Sequence, residues 1–365
     1  MIMKPKKDYI PTLDGWRAIA ILAVMSSHAI IPFAAAHPWL RWMEQGAAGV
    51  DVFFALSGFL ICSRLLAEHD KKGGIDWKGF YRRRAFRILP PYMTYLSALA
   101  LLAAVGLVTV SRQDWTACLL FYRNYLAKDY WSWKTGHFWS LAVEEHFYLI
   151  FPVMFAFLGP KRLRVVLPFV LVALEAWRML DHRFQLFDAV FPGCVTPYRT
   201  DVRVSGIAYG CMAALLLHVP QIRAAATRAV SGLTITVIAM LMLACLYGNP
   251  PMSTVLVRVL IAAMVASTTL APSTIWGRFL ETAPMRWIGV LSYSLYIWQQ
   301  LFLAPKPVYA FHHFPVNVLL AFVAAYCSYR WVEKPLIALG RKLGRPRTQV
   351  VLPLPQSATF EGASI

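Results

Sequence analysis

Long apolar runs, each interrupted by only a few polar positions, recur along nearly the whole chain. They lie near Leu13–Phe33, Val50–Leu66, Ile88–Val110, Trp139–Leu158, Leu163–Leu180, Val204–Val219, Val230–Tyr247, Thr254–Leu270, Ile288–Leu303 and Val316–Ile337. Runs of this length cross a bilayer as helices. The pattern predicts an all-α, polytopic transmembrane bundle of about ten helices. The fourth and last runs are broken by Pro or by a charge, so nine or eleven spans fit the same pattern.

The charges between the runs set the orientation. Lys4, Lys6 and Lys7 precede the first run; Lys71, Lys72, Lys78, Arg82, Arg83, Arg84 and Arg87 lie between the second and third; Lys161, Arg162 and Arg164 follow the fourth. Arg223 and Arg228 follow the sixth, Arg278 and Arg286 the eighth, and Lys334, Arg341, Lys342, Arg345 and Arg347 close the chain. Basic short loops stay in the cytoplasm, so an even number of spans leaves both termini cytoplasmic. The expected location is the plasma (inner) membrane, multi-pass. Residues 1–340 are expected to form the transmembrane domain and 341–365, with Pro346, Pro353 and Pro355, a disordered cytoplasmic tail. Because the chain ends soon after the tenth run, no appended hydrolase-like domain is expected.

Composition agrees with immersion in lipid. Of 365 residues 58% are hydrophobic and 15% charged, against about 25% charged in soluble domains, and mean hydropathy is +0.53. The formal charge of +18 is dispersed over helix ends, which favours topogenic and anionic-lipid contact over nucleic acid. Cys62, Cys118, Cys194, Cys211, Cys245 and Cys327 have no CxxC spacing, so neither a disulfide framework nor a metal site is expected. Asp14 and Arg17 inside the first run argue against a cleaved signal.

Charge inside the runs is where function is expected, since ionised groups at mid-bilayer must face a cavity, a partner or water. Arg17 and His28 are eleven residues apart in LDGWRAIAILAVMSSHAI. That spacing puts them on one helix face and roughly 16 Å apart along the axis. Arg17 then reads as a cationic anchor near the inner edge and His28 as the reactive group farther along the same wall. Asp14, Asp51, Glu144, Glu145, His146, Arg199, Asp201 and Arg203 complete the set. Together they imply a polar cavity, although any one could serve only to pair helices.

Glu144 and Glu145 point about 100° apart. His137 and Ser140 precede Glu144 by seven and four residues, so Glu144 is the better cavity carboxylate, with Glu145 turned to a neighbouring helix. Ser57-Gly58 lacks the flanking glycines of a nucleophile elbow; close helix approach is the simpler role. Trp131, Trp133 and Trp139 read as an aromatic belt, with faces of the kind that stack on sugar rings, and His37, His312 and His313 fall in outer loops without ligand spacing. In FYRRRAFRILPPY, Arg83, Arg84 and Arg87 would present guanidinium forks, which suit phosphates, at the inner surface.

Taken in order, YIPTLDGWRAIAILAVMSSH with its Arg-x10-His spacing, GVDVFFALSGFLI, FYRRRAFRILPPY, HFWSLAVEEHFYLIFP, RTDVRVSGIAYG, IGVLSYSLYIWQQ and YRWVEKPL closely resemble the acyltransferase-3 family of integral membrane acyltransferases. That resemblance implies acyl transfer, most often of acetyl groups, to envelope or exported glycans and lipids. It makes Arg17 and His28 the essential pair and brings the Arg-rich segment to the phosphates of acyl-coenzyme A. Ala18 stands where glycine is common, and Gln299-Gln300 where a histidine often follows the tryptophan.

The residues fit that chemistry. A buried imidazole suits deprotonation of an alcohol, with Glu144 or Glu145 to orient it and Arg17 to offset charge at the thioester oxygen or hold phosphate. His28 could instead carry the acyl group itself. Cytoplasmic donor and outward acceptor imply a tunnel through the bundle; Asp14, Asp51, Ser57, Trp139, Ser140, Arg199, Asp201 and Arg203 are the candidate lining. The competing class is a transporter or flippase of a lipid-linked glycan, but neither an internal repeat nor paired broken helices are visible. The expected partners are membrane lipids, an acyl-coenzyme A co-substrate and a glycan or glycolipid acceptor.

Overall fold

The computed structural model describes residues 9–30, 43, 45, 46, 48–248, 252–305 and 309–343. Lys4, Lys6, Lys7, His37, Arg345, Arg347 and the remainder of the tail lie outside the described residues. Within them the chain is helical, with no strand beyond one isolated bridge between Ala127 and Cys194.

The helices are α1 (Pro11–Ile30), α2 (Ala48–Lys72), α3 (Trp77–Ala104), α4 (Arg112–Leu119), α5 (Phe138–Phe184), α6 (Thr200–Leu217), α7 (Pro220–Ala229), α8 (Gly232–Gly248), α9 (Ser253–Leu270), α10 (Ile275–Leu280), α11 (Ala283–Phe302), α12 (Val316–Ser328) and α13 (Lys334–Lys342). Each of the ten apolar runs falls mainly on one helix or one arm of a helix. The fourth and fifth runs are the two arms of α5, divided at Gly159, where φ is +67° and Pro160 follows. That φ is open to glycine at little steric cost. The tenth run is not one regular helix: a wide π turn at Tyr329–Glu333 joins α12 to α13.

Among the described residues four helices are long and apolar enough to cross a membrane: α2, α3, α6 with its preceding turn, and α9. The pair α7 and α8, bent by 90°, makes a fifth if taken together. Elsewhere α8 and α12 are short, at 17 and 13 residues, and α1, α5 and α11 carry polar side chains among their apolar ones. Large apolar side chains such as Leu101, Phe157, Phe169 and Leu233 are exposed around the outside, the arrangement of a bundle facing hydrocarbon.

The helix pairs meet through small residues. A Cβ on Gly58 of α2 would overlap the Ile207 carbonyl of α6, and one on Gly210 of α6 would overlap the Ala55 carbonyl of α2. The Ser57-Gly58 step thus provides close approach rather than a nucleophile elbow. Tyr9, before α1, meets Arg286 at the start of α11, and His218, at the end of α6, lies 3.6 Å from Asp70 near the end of α2, so these segments share one end of the bundle. The 105–137 connection and the 185–199 connection cap the other.

Gly58→Val is expected to cost about 1–3 kcal/mol by forcing α2 from α6. Thermal melting in detergent should show the loss; an unchanged melting temperature would mean the two helices can separate freely.

Candidate active site

One cavity of about 130 Å³ runs along α2, which contributes Val50, Phe53, Phe54, Ser57, Leu60, Ile61, Arg64, Leu65 and Glu68 to its wall. From Val50 to Glu68 is about 27 Å of helix at about 1.5 Å per residue. Its opposite walls come from α1 (Arg17), α3 (Phe80, Arg83, Arg84, Arg87, Ile88), α5 (Ser140, Leu141, Glu144, Tyr148) and α11 (Ser292, Tyr293, Tyr296).

The basic end carries five guanidinium groups. Arg83 has acidic neighbours, Glu68 at 3.7 Å and Asp76 at 3.9 Å. Arg17 is paired with Asp14 at 3.1 Å, and Asp14 also accepts from the Tyr9 hydroxyl. Arg84 lies over the Tyr148 ring, 4.0 Å from its centroid. Arg64, Arg84 and Arg87 have no carboxylate within 4.0 Å among the described residues. Like charges converging in one cavity repel unless an anion joins them. Arg64, inside the second apolar run, was not among the sequence candidates.

Midway, Glu144 accepts from the Ser57 hydroxyl (3.1 Å) and the Tyr148 hydroxyl (2.6 Å). Glu144 lines the cavity with Ser140, as the heptad spacing predicts; Glu145 is not in the wall. At the far end the Ser140 and Tyr296 hydroxyls are 2.6 Å apart, and both reach the His137 carbonyl oxygen.

His28 stands beyond that layer. Its Nδ1 meets Gln299 Oε1 at 2.8 Å and its ring abuts Trp133 with centroids 5.2 Å apart. Two expectations change here. His28 does not share the cavity wall with Arg17, because its ring turns to α11 and the capping loop. Its partner is Gln299 rather than Glu144 or Glu145, since α5 begins beside His137 and places Glu144 roughly 9 Å deeper.

The remaining sequence candidates form a separate construction outside the wall. Asp51 lies 3.4 Å from Arg203 and 3.5 Å from Arg258, which also reaches Glu175 (3.3 Å) and the Ser205 hydroxyl (2.6 Å). Arg203 lies over Trp139, 5.1 Å from the ring centroid. Arg199 joins Asp181 (3.0 Å) and Asp201 (2.5 Å), and Trp177 donates to Asp201. Asp51, Trp139, Arg199, Asp201 and Arg203 therefore pair helices near the capped end. Asp14 is not in the wall and is held by Arg17 and the Tyr9 hydroxyl. Arg258, a single charge in an otherwise apolar run, and Glu175, which shares its run with Arg164 and Arg178, were not among the sequence candidates.

The cap is tied by Arg123 and Asp114, 2.7 Å apart and both fully buried, with Thr135 and the Ser132 amide also donating to Asp114. Burial lowers the Lys134 pKa below its ordinary value and pushes the Cys118 thiol above its own, as desolvation disfavours either charged form. No group of three or more His, Cys, Asp or Glu side chains able to hold a metal converges among the described residues.

The sequence model of the acyltransferase-3 family, described as an acyltransferase domain, matches residues 10–329. Among curated proteins, the putative peptidoglycan O-acetyltransferase YrhL of Bacillus subtilis (strain 168) is 30% identical over 91% of this chain and 55% of its own length. The putative O-acetyltransferase SACOL0978 of Staphylococcus aureus (strain COL) is 29% identical over 92% of this chain and 59% of its own. O-acetyltransferase OatA of Staphylococcus aureus (strain NCTC 8325 / PS 47) is 26% identical over 92% of this chain and 58% of its own. This chain thus spans little more than half the length of these relatives. No solved structure matches it.

The Arg258 network yields a stability prediction. Glu175→Leu should leave Arg258 with Asp51 as its remaining carboxylate and take away the 2.7 Å partner of Arg178, at a cost of about 3 kcal/mol, whereas adding Arg258→Leu should recover part of the loss. Melting of the two single variants and the double variant checks this; purely additive losses would mean the two groups are not coupled.

Proposed function

The chain belongs to the acyltransferase-3 family, and on that premise we propose that it is a multi-pass plasma-membrane O-acyltransferase. It carries an acyl group, most simply acetyl, from cytoplasmic acyl-coenzyme A to a hydroxyl of an envelope glycan or glycolipid. The observation that carries this reading is the cavity along α2, with Arg64, Arg84 and Arg87 at one end and the Ser140–Tyr296 layer next to His28 at the other. In the proposed topology the ten apolar runs span the membrane and both termini are cytoplasmic, so the guanidinium end opens to the compartment that holds coenzyme A. The relative whose name specifies peptidoglycan makes that polymer the first acceptor to test.

Arg64, Arg84 and Arg87 hold the donor's phosphates, and its pantetheine arm extends along α2 past Ser57 and Tyr148. Guanidinium forks match phosphate oxygens in shape and charge. Glu144 is held by two hydroxyl donors in mid-cavity, which fits a wall residue more than a base for a group beyond the Ser140–Tyr296 layer. Arg17, fixed by Asp14, contributes positive potential to the same wall.

At the far end His28 takes one of two routes. As a base, its free nitrogen accepts the acceptor's hydroxyl proton, the oxygen attacks the thioester carbonyl, and the C–S bond breaks. The thiolate then leaves with the proton from the imidazolium. As a carrier, His28 attacks the thioester itself, releases coenzyme A, and passes the acyl group to the hydroxyl in a second step. Rapid quenching with labelled acetyl-coenzyme A and no acceptor separates them: label on the protein, absent in His28→Ala, marks the carrier.

The function itself is tested by mass spectrometry of surface glycans from cells with and without the protein. A lost acetyl mass is expected, restored by wild type and not by His28→Ala. An unchanged glycan profile in the deletion would overturn the assignment.

Replacing Arg64, Arg84 and Arg87 with Gln should raise the apparent KM for acetyl-coenzyme A by about tenfold or more and leave kcat much less affected. Phosphate contacts remote from the thioester act equally in ground and transition states. Added salt should mimic the effect on wild type. Normal donor affinity in correctly inserted protein would restrict these residues to topology.

A further inference from the structure

We propose that Gln299 is a positioning residue that fixes the tautomer of His28, making Nε2 the reactive nitrogen; this rests on the acyl-transfer reading above. The Gln299 carboxamide oxygen lies 2.8 Å from His28 Nδ1. A carbonyl oxygen can only accept, so Nδ1 carries the proton and Nε2 presents its lone pair. Gln299 is completely buried and its own Nε2 has no partner among the described residues. Among the described residues the imidazole is the one hydrogen-bond partner of this amide, so the proposed tautomer rests on Oε1 facing Nδ1, and that orientation leaves one donor beside the reactive ring for an incoming acceptor such as the acyl carbonyl oxygen.

The next residue repeats the device. Gln300 Oε1 accepts from the His137 backbone N–H at 2.9 Å and stands 2.7 Å from His137 Nδ1. A backbone N–H can only donate, which establishes the oxygen at that position and places the proton of His137 on Nδ1 as well. Consecutive carboxamides of α11 thus hold two imidazoles in the same tautomer. His137 is sealed beneath Tyr95, Phe138 and Tyr296, whereas His28 is only half-buried. Of the two, only His28 is placed to meet an acceptor.

The neutrality of the amide matters as much as its position. A carboxylate at the same place would also accept from Nδ1–H, but it would stabilise the imidazolium and retain the proton that a base must pass on. Gln299 sets the tautomer without adding that charge.

The test uses full-length protein in proteoliposomes, with labelled acetyl transfer from acetyl-coenzyme A to soluble peptidoglycan fragments. Gln299→Glu should move the acidic limb of the kcat/KM profile up by about one pH unit or more, because the new carboxylate favours protonated His28. Gln299→Leu should lower kcat on the order of 100-fold, since the base would no longer be held in one tautomer, while the KM for acetyl-coenzyme A stays within about twofold. Nitrogen-15 NMR of histidine-labelled protein, with the His28 signal identified by its loss in His28→Gln, should show a protonated Nδ1 in wild type and a mixture in Gln299→Leu.

A wild-type signal from the Nε2–H tautomer would overturn the proposal, as would an unmoved acidic limb in monodisperse Gln299→Glu. If Gln299→Leu fails to fold, the pH profile of Gln299→Glu and the wild-type spectrum still decide. If wild type transfers no acyl group, the functional reading fails and the spectrum alone judges the tautomer.

Discussion

An ionised group inside a low-dielectric bundle must find an opposite charge or water, and this requirement sorts the polar residues of the protein into two kinds. Asp51, Arg203, Arg258 and Glu175 neutralise one another across α2, α5, α6 and α9. Arg199 does the same with Asp181 and Asp201, and Arg123 with Asp114. Such pairs add little net stability over apolar packing, but losing one partner is costly, so they fix how the helices meet. Arg64, Arg84 and Arg87 are different. They have no carboxylate within 4.0 Å among the described residues and leave an excess of positive charge at one end of a cavity whose wall also holds Glu68 and Glu144, an arrangement suited to an anion.

The first kind constructs the surroundings of the second. The close α2–α6 contact at Gly58 and Gly210, locked toward the cap by Asp51 with Arg203, holds α2 as one side of the cavity. On the other side α5 brings Ser140, Glu144 and Tyr148 to the same wall at intervals of four residues, the spacing that keeps side chains on one helix face. The π turn before α13 buries Glu333, whose carboxylate accepts from Ser294 of α11 at 2.9 Å. The helix that carries Tyr296, Gln299 and Gln300 is thereby anchored to the closing segment of the chain.

What the sequence reveals depends on whether the information is local. Helix positions follow from runs of apolar residues, and the choice of Glu144 over Glu145 follows from spacing within one helix. Both are properties of neighbours along the chain, and both appear in the structure. Partnerships between helices are not local: Arg258 and Glu175 are 83 residues apart, and nothing in either apolar run indicates the other. The same blindness made Asp51, Arg199, Asp201 and Arg203 look like cavity lining, since an intramembrane charge reads alike whether it is paired or waiting for a ligand. Arg17 and His28 show the intermediate case. Their spacing fixes a shared helix, but the direction each side chain takes is decided by Asp14 in one instance and by Gln299 on a distant helix in the other.

The length of the cavity then bears on why such a reaction would be built into a membrane protein at all. The α2 residues in its wall, Val50 to Glu68, cover about 27 Å of helix rise, comparable to the roughly 30 Å of hydrocarbon in a bilayer. On the proposed reading, a donor anchored by its phosphates at the guanidinium end would not follow its acyl group out, because Arg64, Arg84 and Arg87 line one end of the cavity. The far end is closed by the hydrogen-bonded hydroxyls of Ser140 and Tyr296 on the His137 carbonyl, a layer that must give way only for something small. A transporter needs a path that admits its whole cargo. An enzyme needs only to let a short acyl group reach a nitrogen on the other side, and this architecture, with wide charge capture at one end and a narrow polar seal beneath one imidazole at the other, is suited to the second task.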